Sequence, residues 1–172
     1  MKRAFVISAI LLLAAGDFAA MPLIKHGGVT VARTRGLVHT TEAYLYIDAW
    51  DDSALTANLD SALDEVKDID VLILDKPDCR AVDALRLAEV AGRFTPWDLQ
   101  VIQPTGTWQW NKPLIITLKD STTCPLFLKL LQRRWTEVLI GDEASHTREH
   151  ARDMAKRWKR EREDRMEKLF QK

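Results

Sequence analysis

The side chains best suited to covalent chemistry lie in one short polar stretch between an apolar run and a predicted helix. Ser121 and Cys124 each carry an atom that can attack a carbonyl carbon once a base removes its proton. The imidazole of His146 is the candidate base, because histidine exchanges its proton near neutral pH. In the alternative interpretation, His146 only opens a helix at the surface.

Two other groups of side chains are suited to binding rather than to reaction. In an extended segment, Trp108 and Trp110 would present both indoles on one side, either as the wall of a groove for a peptide or protein or as caps on the edge of the core. His146 and His150 have only a weak resemblance to a metal-binding helical pair, because no acidic ligand accompanies them. We therefore predict no metal site and no cofactor.

The N-terminus has the pattern of a secretory signal. Residues 1–3 are Met-Lys-Arg, and residues 4–15 are apolar apart from Ser8. This apolar stretch is shorter than the roughly 20 residues that a membrane-spanning helix needs, which favours cleavage over an uncleaved membrane anchor. We predict a signal peptide over residues 1–20, one domain over 21–145, a charged helix over 146–172, and a periplasmic or secreted protein.

The charge of the chain argues against one class of partner. It contains 25 Lys and Arg and 25 Asp and Glu, so no net charge attracts it to nucleic acid or to an anionic membrane. We predict a peptide or protein partner, no nucleic acid, and contact with a membrane only through the signal sequence.

Apolar runs alternate with amphipathic segments along the rest of the chain. Runs rich in β-branched, aromatic and aliphatic residues predict strands, and apolar residues at helical spacing predict helices. The predicted strands are 28–32, 43–47, 71–74, 99–102, 114–118 and 138–140, and the predicted helices are 55–68, 81–93 and 125–134. Because strands that alternate with single helices are joined by crossovers, we expect an α/β fold with a largely parallel sheet.

Residues 146–170 should form one long helix. They contain neither glycine nor proline and are dense in charged residues that favour helix. Their apolar stripe is too sparse for a core, so it should rest on the domain or on a second chain. The second possibility would make residues 146–172 an oligomerisation module.

The order of these elements resembles the core of the tail-specific, or C-terminal processing, serine peptidases, which have a ClpP/crotonase-like fold. Three stretches carry the resemblance: residues 43–52 before a helix, residues 69–75 as a buried strand that ends in Asp, and residues 112–123 with the later strand 137–143. The resemblance covers approximately residues 43–146 and implies a parallel sheet with crossover helices.

The resemblance also implies a serine nucleophile, a lysine base and a glycine-rich oxyanion turn, and this chain departs from all three. The register places Thr122 at the serine position, and a small shift would place Ser121 or Cys124 there. No lysine follows the strand 137–143 at the expected position. The turn 75–80 has no glycine, and its proline has no amide hydrogen.

Because each such loss typically lowers a rate by orders of magnitude, we predict a peptidase-like domain that binds a peptide or protein without cleaving it. The alternatives are an active serine- or cysteine-type peptidase that uses Ser121 or Cys124 with His146, and the oligomerisation module described above.

On the fold that the resemblance implies, Cys79 lies in the oxyanion turn and Cys124 in the nucleophile turn. These turns face each other across the former active site. We therefore hypothesise a disulfide that closes the site, since an exported protein meets oxidising conditions. The alternatives are two free buried thiols, or Cys124 as a nucleophile.

Overall fold

The computed structural model describes residues 23–33, 42–94, 110–131 and 135–170. These residues form one six-stranded sheet with helices on both faces. The strands are β1 (Leu23–His26), β2 (Val29–Arg33), β3 (Glu42–Ile47), β4 (Val71–Asp75), β5 (Leu114–Leu118) and β6 (Thr136–Ile140). The helices are α1 (Leu55–Glu65), α2 (Ala84–Ala91), α3 (Pro125–Leu130) and α4 (Thr147–Phe170), with a 3₁₀ helix over Gly141–His146 before α4. The predicted signal peptide, the predicted strand 99–102 and Trp108 lie outside the described residues.

The strands lie side by side in chain order. Strands β3 to β6 are parallel, and β1 and β2 add an antiparallel hairpin beside β3. The expected α/β fold with a mostly parallel sheet is therefore confirmed. Gly27 makes the hairpin turn with a φ of +54°, and a Cβ there would come within 2.2 Å of the Asn58 amide nitrogen.

The parallel strands are buried on both faces, as their wholly apolar runs indicate. Leu72 and Leu74 of β4 point into a core beneath α1, α2 and α3, whereas Val71 and Ile73 point into a second core beneath α4. Strands that advance in one direction across a sheet, joined by crossovers of one hand, place all their crossover helices on one face. The other face therefore needs a helix from elsewhere, and α4 covers it.

Only the first half of α4 covers that face. Ala151, Met154 and Ala155 are buried against the sheet, so the expectation that the stripe is too sparse for a core was wrong for this half. The two alanines let the helix approach closely, which a residue count does not reveal. Lys159 binds Asp70, the residue before β4, at 2.7 Å. The helix has thus crossed from the carboxyl edge of the parallel strands to their amino edge by residue 159.

Within the described ranges, no helix is both long and apolar enough to cross a membrane.

Candidate functional site

The turns that follow β4 and β5 meet at the carboxyl edge of the sheet, where ligands bind in many parallel α/β folds. A disulfide joins them: Cys79 and Cys124 are both buried, and their Cα atoms are 5.3 Å apart. The predicted pairing is therefore present. In this structure the sulfur of Cys124 is bonded to that of Cys79, and a sulfur in a disulfide has no thiolate to offer as a nucleophile.

The turn after β4 directs its first amide into the protein. The amide of Lys76 donates to the carbonyl oxygen of Thr117 at 3.0 Å and to its hydroxyl oxygen at 3.1 Å. The Thr117 hydroxyl in turn donates to the carboxylate of Asp75. The next residue, Pro77, has no amide hydrogen. This turn therefore presents neither of these two amides to a substrate carbonyl.

Lys76 has a φ of +46°, in the left-handed region that favours glycine. The backbone at Lys76 therefore has a conformation that glycine adopts more readily than lysine.

The turn after β5 is organised around Asp120 rather than around a nucleophile. One carboxylate oxygen of Asp120 accepts from the amide of Thr122 at 3.0 Å, from its hydroxyl at 2.6 Å and from the hydroxyl of Thr123 at 2.9 Å. The Thr122 hydroxyl, followed by that of Thr123, lowers the pKa of Asp120. A carboxylate with a lowered pKa is a weak base toward the hydroxyl that it binds. Ser121 in the same turn is exposed.

An ion pair lies in the turn that contains Cys79. The side chain of Arg80 binds both carboxylate oxygens of Asp78, at 2.9 Å and 2.6 Å. This contact, followed by the Arg80 amide, lowers the pKa of Asp78 to about 2. Both side chains are exposed, so Asp78 is a charged surface group rather than a proton donor at neutral pH.

His146 contacts an acid rather than one of the candidate nucleophiles. Its ring is exposed at the end of the 3₁₀ helix, and its Nδ1 is 3.5 Å from the carboxylate of Glu149. It lines an open depression of about 400 Å³ with Tyr44 and Arg148, and neither Ser121 nor Cys124 borders that depression. In the described part of the chain, His146 therefore pairs with an acid of α4, the helix that follows, rather than with a nucleophile.

The two histidines with the weak metal-like spacing do not converge. The Nδ1 atom of His150 lies 2.9 Å from the carboxylate of Glu137 on β6, whereas His146 pairs with Glu149.

Trp110 belongs to the core. It is 1% exposed, its indole nitrogen donates to the carbonyl oxygen of Pro113 at 3.0 Å, and its amide donates to the carbonyl oxygen of Arg93. Trp110 therefore lines no groove in this structure, and its side chain is part of the core beneath α1, α2 and α3. The indole has a partner inside the protein, which is what lets it be buried.

Thr117 and Lys76 make the hydrogen bonds that hold the turn after β4, and no sequence pattern indicated either residue. Thr117 appears only as one more strand residue, and a lysine after Asp75 has no pattern that indicates a left-handed backbone. The absence of glycine in residues 75–80 was the only available signal, and it indicated what the turn lacks rather than which bonds replace it.

No protein-family model matches this sequence, and no curated protein matches it either. Among solved structures, the crystal structure of a putative peptidase from Parabacteroides merdae is a weak neighbour, with a TM-score of 0.48 and 17% identity. The match covers 75% of this chain and 46% of that chain, so the chain spans less than half of the length of that protein.

Proposed function

We propose that this chain is an exported domain of peptidase-like fold that binds a protein or peptide without hydrolysing it. The observation that carries the proposal is the disulfide between Cys79 and Cys124. It ties together the two turns between which a substrate carbonyl would have to enter. It also removes the one thiol that the turn after β5 would otherwise offer as a nucleophile.

The hydrogen bonds of the same edge support the absence of hydrolysis. An oxyanion hole needs amide hydrogens aimed at the position of the developing charge. The Lys76 amide is bound to Thr117, and Pro77 has no hydrogen to donate. The Thr122 hydroxyl is bound to Asp120, whose lowered pKa makes it a poor acceptor for a proton.

Two features support export. The first residues have the basic and apolar pattern of a signal peptide. A disulfide persists in the periplasm or outside the cell and is usually reduced in the cytosol.

The test is a hydrolysis and labelling experiment on the oxidised chain, with an active serine peptidase as the positive control. We expect no turnover of a fluorescent peptide library and no covalent adduct with a fluorophosphonate probe. The same assays after reduction, and on the Cys79→Ala/Cys124→Ala variant, should also be negative, because removing the cross-link does not supply a lysine base or a glycine turn.

One result would reverse the proposal in favour of an altered peptidase. That result is hydrolysis by the wild-type chain that disappears in Ser121→Ala, Thr122→Ala or Cys124→Ala but persists in Ser53→Ala, an exposed serine near α1. A requirement for His146 would strengthen that contrary conclusion.

A further inference from the structure

The second half of α4 leaves an apolar surface uncovered beyond the amino edge of the sheet. Residues 160–170 extend about 16 Å past the contact between Lys159 and Asp70, at 1.5 Å per residue. In this overhang Met166, Leu169 and Phe170 are 47%, 68% and 82% exposed. Three large apolar side chains close together on one surface mark a contact site more often than isolated ones do.

The exposed residues continue the face that packs on the sheet. Leu169 is about five helical turns after the buried Ala151 and therefore points in the same direction, and Met166 is displaced from it by about 60°. Beyond Lys159, this face therefore no longer lies over the described strands of the sheet.

The charged residues nearest to the apolar face are mostly cations. Helical spacing places Arg162, Arg165 and Lys159 within about 80° of the direction of Leu169, whereas Lys168 lies about 100° from it. Asp164 and Glu167 lie on the opposite face. Glu161 borders the apolar face and is bound to Arg165, and Glu163 lies beside Phe170. The uncovered face is therefore both apolar and cationic.

We propose that this face, defined by Trp158, Arg162, Arg165, Met166 and Leu169, is a docking surface for an acidic amphipathic helix of a partner protein. Apolar residues of the partner would cover Met166 and Leu169, and flanking Asp or Glu side chains would meet the cations. This inference rests on the proposed binding function and specifies its partner.

The same pattern argues against a second copy of the chain on this face. Two such faces packed together in an antiparallel arrangement would place Arg162 of one copy opposite Arg165 of the other near the centre of the contact. Like charges at the centre of an interface oppose association. An anionic membrane fits less well, because residues 160–170 contain four cations and four acids and so have no net charge to attract them to its surface.

The experiment uses the full oxidised chain and a labelled helical peptide that has Leu and Phe along one face and Glu on both sides of it. Fluorescence anisotropy should show saturable binding that weakens as salt concentration rises. Leu169→Asp should raise the Kd at least about tenfold, since it removes most of one apolar contact. Leu85→Asp is the matched control: Leu85 is 71% exposed on α2, on the other side of the sheet.

A charge reversal tests whether the arginines of this face select an acidic partner. Arg162→Glu/Arg165→Glu should abolish binding of the Glu peptide and create binding to a peptide in which Lys replaces each Glu. Arg160→Glu, on the opposite face, should change neither affinity by more than about twofold. Far-ultraviolet circular dichroism on each variant shows whether α4 is retained.

Three results would overturn the inference: no saturable binding of the Glu peptide, binding that Leu169→Asp leaves unchanged, or equal binding of the Glu and Lys peptides. Cosedimentation with phosphatidylglycerol vesicles that depends on Leu169 would assign the face to a membrane instead. Dimerisation in sedimentation velocity that depends on Leu169 would assign it to a second copy. None of these results bears on hydrolysis, so the proposed non-catalytic character stands or falls separately.

Discussion

The two edges of the parallel strands differ in how far their side chains are bonded to, or covered by, other parts of the protein. At the carboxyl edge, the turns after β4 and β5 are tied by the disulfide, and Thr117 and Asp120 bind the neighbouring amides and hydroxyls. At the amino edge, α4 extends past the sheet and leaves Met166 and Leu169 in water. A parallel α/β sheet usually binds its ligands at the carboxyl edge. Here the exposed apolar residues of α4 lie at the opposite edge, and the proposed docking surface follows from that difference.

The largest expected effect is at the closed edge. The disulfide links residues that are 45 apart in sequence, and a cross-link over that separation stabilises by about 3–4 kcal/mol in the chain-entropy account. We expect Cys79→Ala/Cys124→Ala to lower the free energy of unfolding by about that amount in urea titrations.

Reductant supplies the control for this measurement. It should destabilise the wild-type chain and leave the double variant unchanged. If reductant lowers the stability of both proteins equally, or of neither, the cross-link does not close this edge.

The next largest effect is the loss of stability on replacing a methionine in the first half of α4, compared with a methionine in its second half. Met154 is buried against the sheet and Met166 is exposed in the overhang. Met154→Ala should cost about 2–3 kcal/mol of unfolding free energy, because it leaves a cavity in the second core. Met166→Ala should change the stability by less than about 0.5 kcal/mol. Chemical denaturation of the two variants checks both values.

Equal losses of unfolding free energy in Met154→Ala and Met166→Ala would contradict the conclusion that only the first half of α4 is packed on the sheet. In that case the overhang would be packed against the domain, and the docking surface proposed above would not exist.

The same contrast explains how much the sequence could predict. The buried strands β4 and β5 were predictable because their apolar runs are set by burial on both faces, a property of each run by itself. The hairpin strand β1 was missed because Leu23-Ile-Lys-His is short and half exposed. The extent of α4 was predictable from its helix-forming residues, but the point at which it leaves the sheet depends on Asp70, which is distant in sequence.

The candidate site was also only partly predictable. The pairing of Cys79 with Cys124 followed from two cysteines and a resembled fold, and Ser121, Thr122 and Cys124 lie at the expected edge. The burial of Trp110 did not follow, because its partner is a backbone carbonyl that no side-chain pattern encodes. A bond to a backbone carbonyl can be identified only in the folded structure.

The smallest expected effect tests whether the turn after β4 keeps strain at a position suited to glycine. A left-handed backbone costs a residue with a Cβ roughly 1 kcal/mol, and glycine avoids this cost but loses more entropy on folding. Lys76→Gly should therefore raise the free energy of unfolding by about 0.5 kcal/mol, whereas Lys76→Ala should leave it within about 0.3 kcal/mol of wild type. Because the amide of residue 76 still donates to Thr117 in both variants, neither should hydrolyse peptides. Hydrolysis by Lys76→Gly alone would mean that the absence of glycine in the turn after β4 is the main barrier to catalysis. A single substitution would then be enough to let this edge of the sheet act on a substrate.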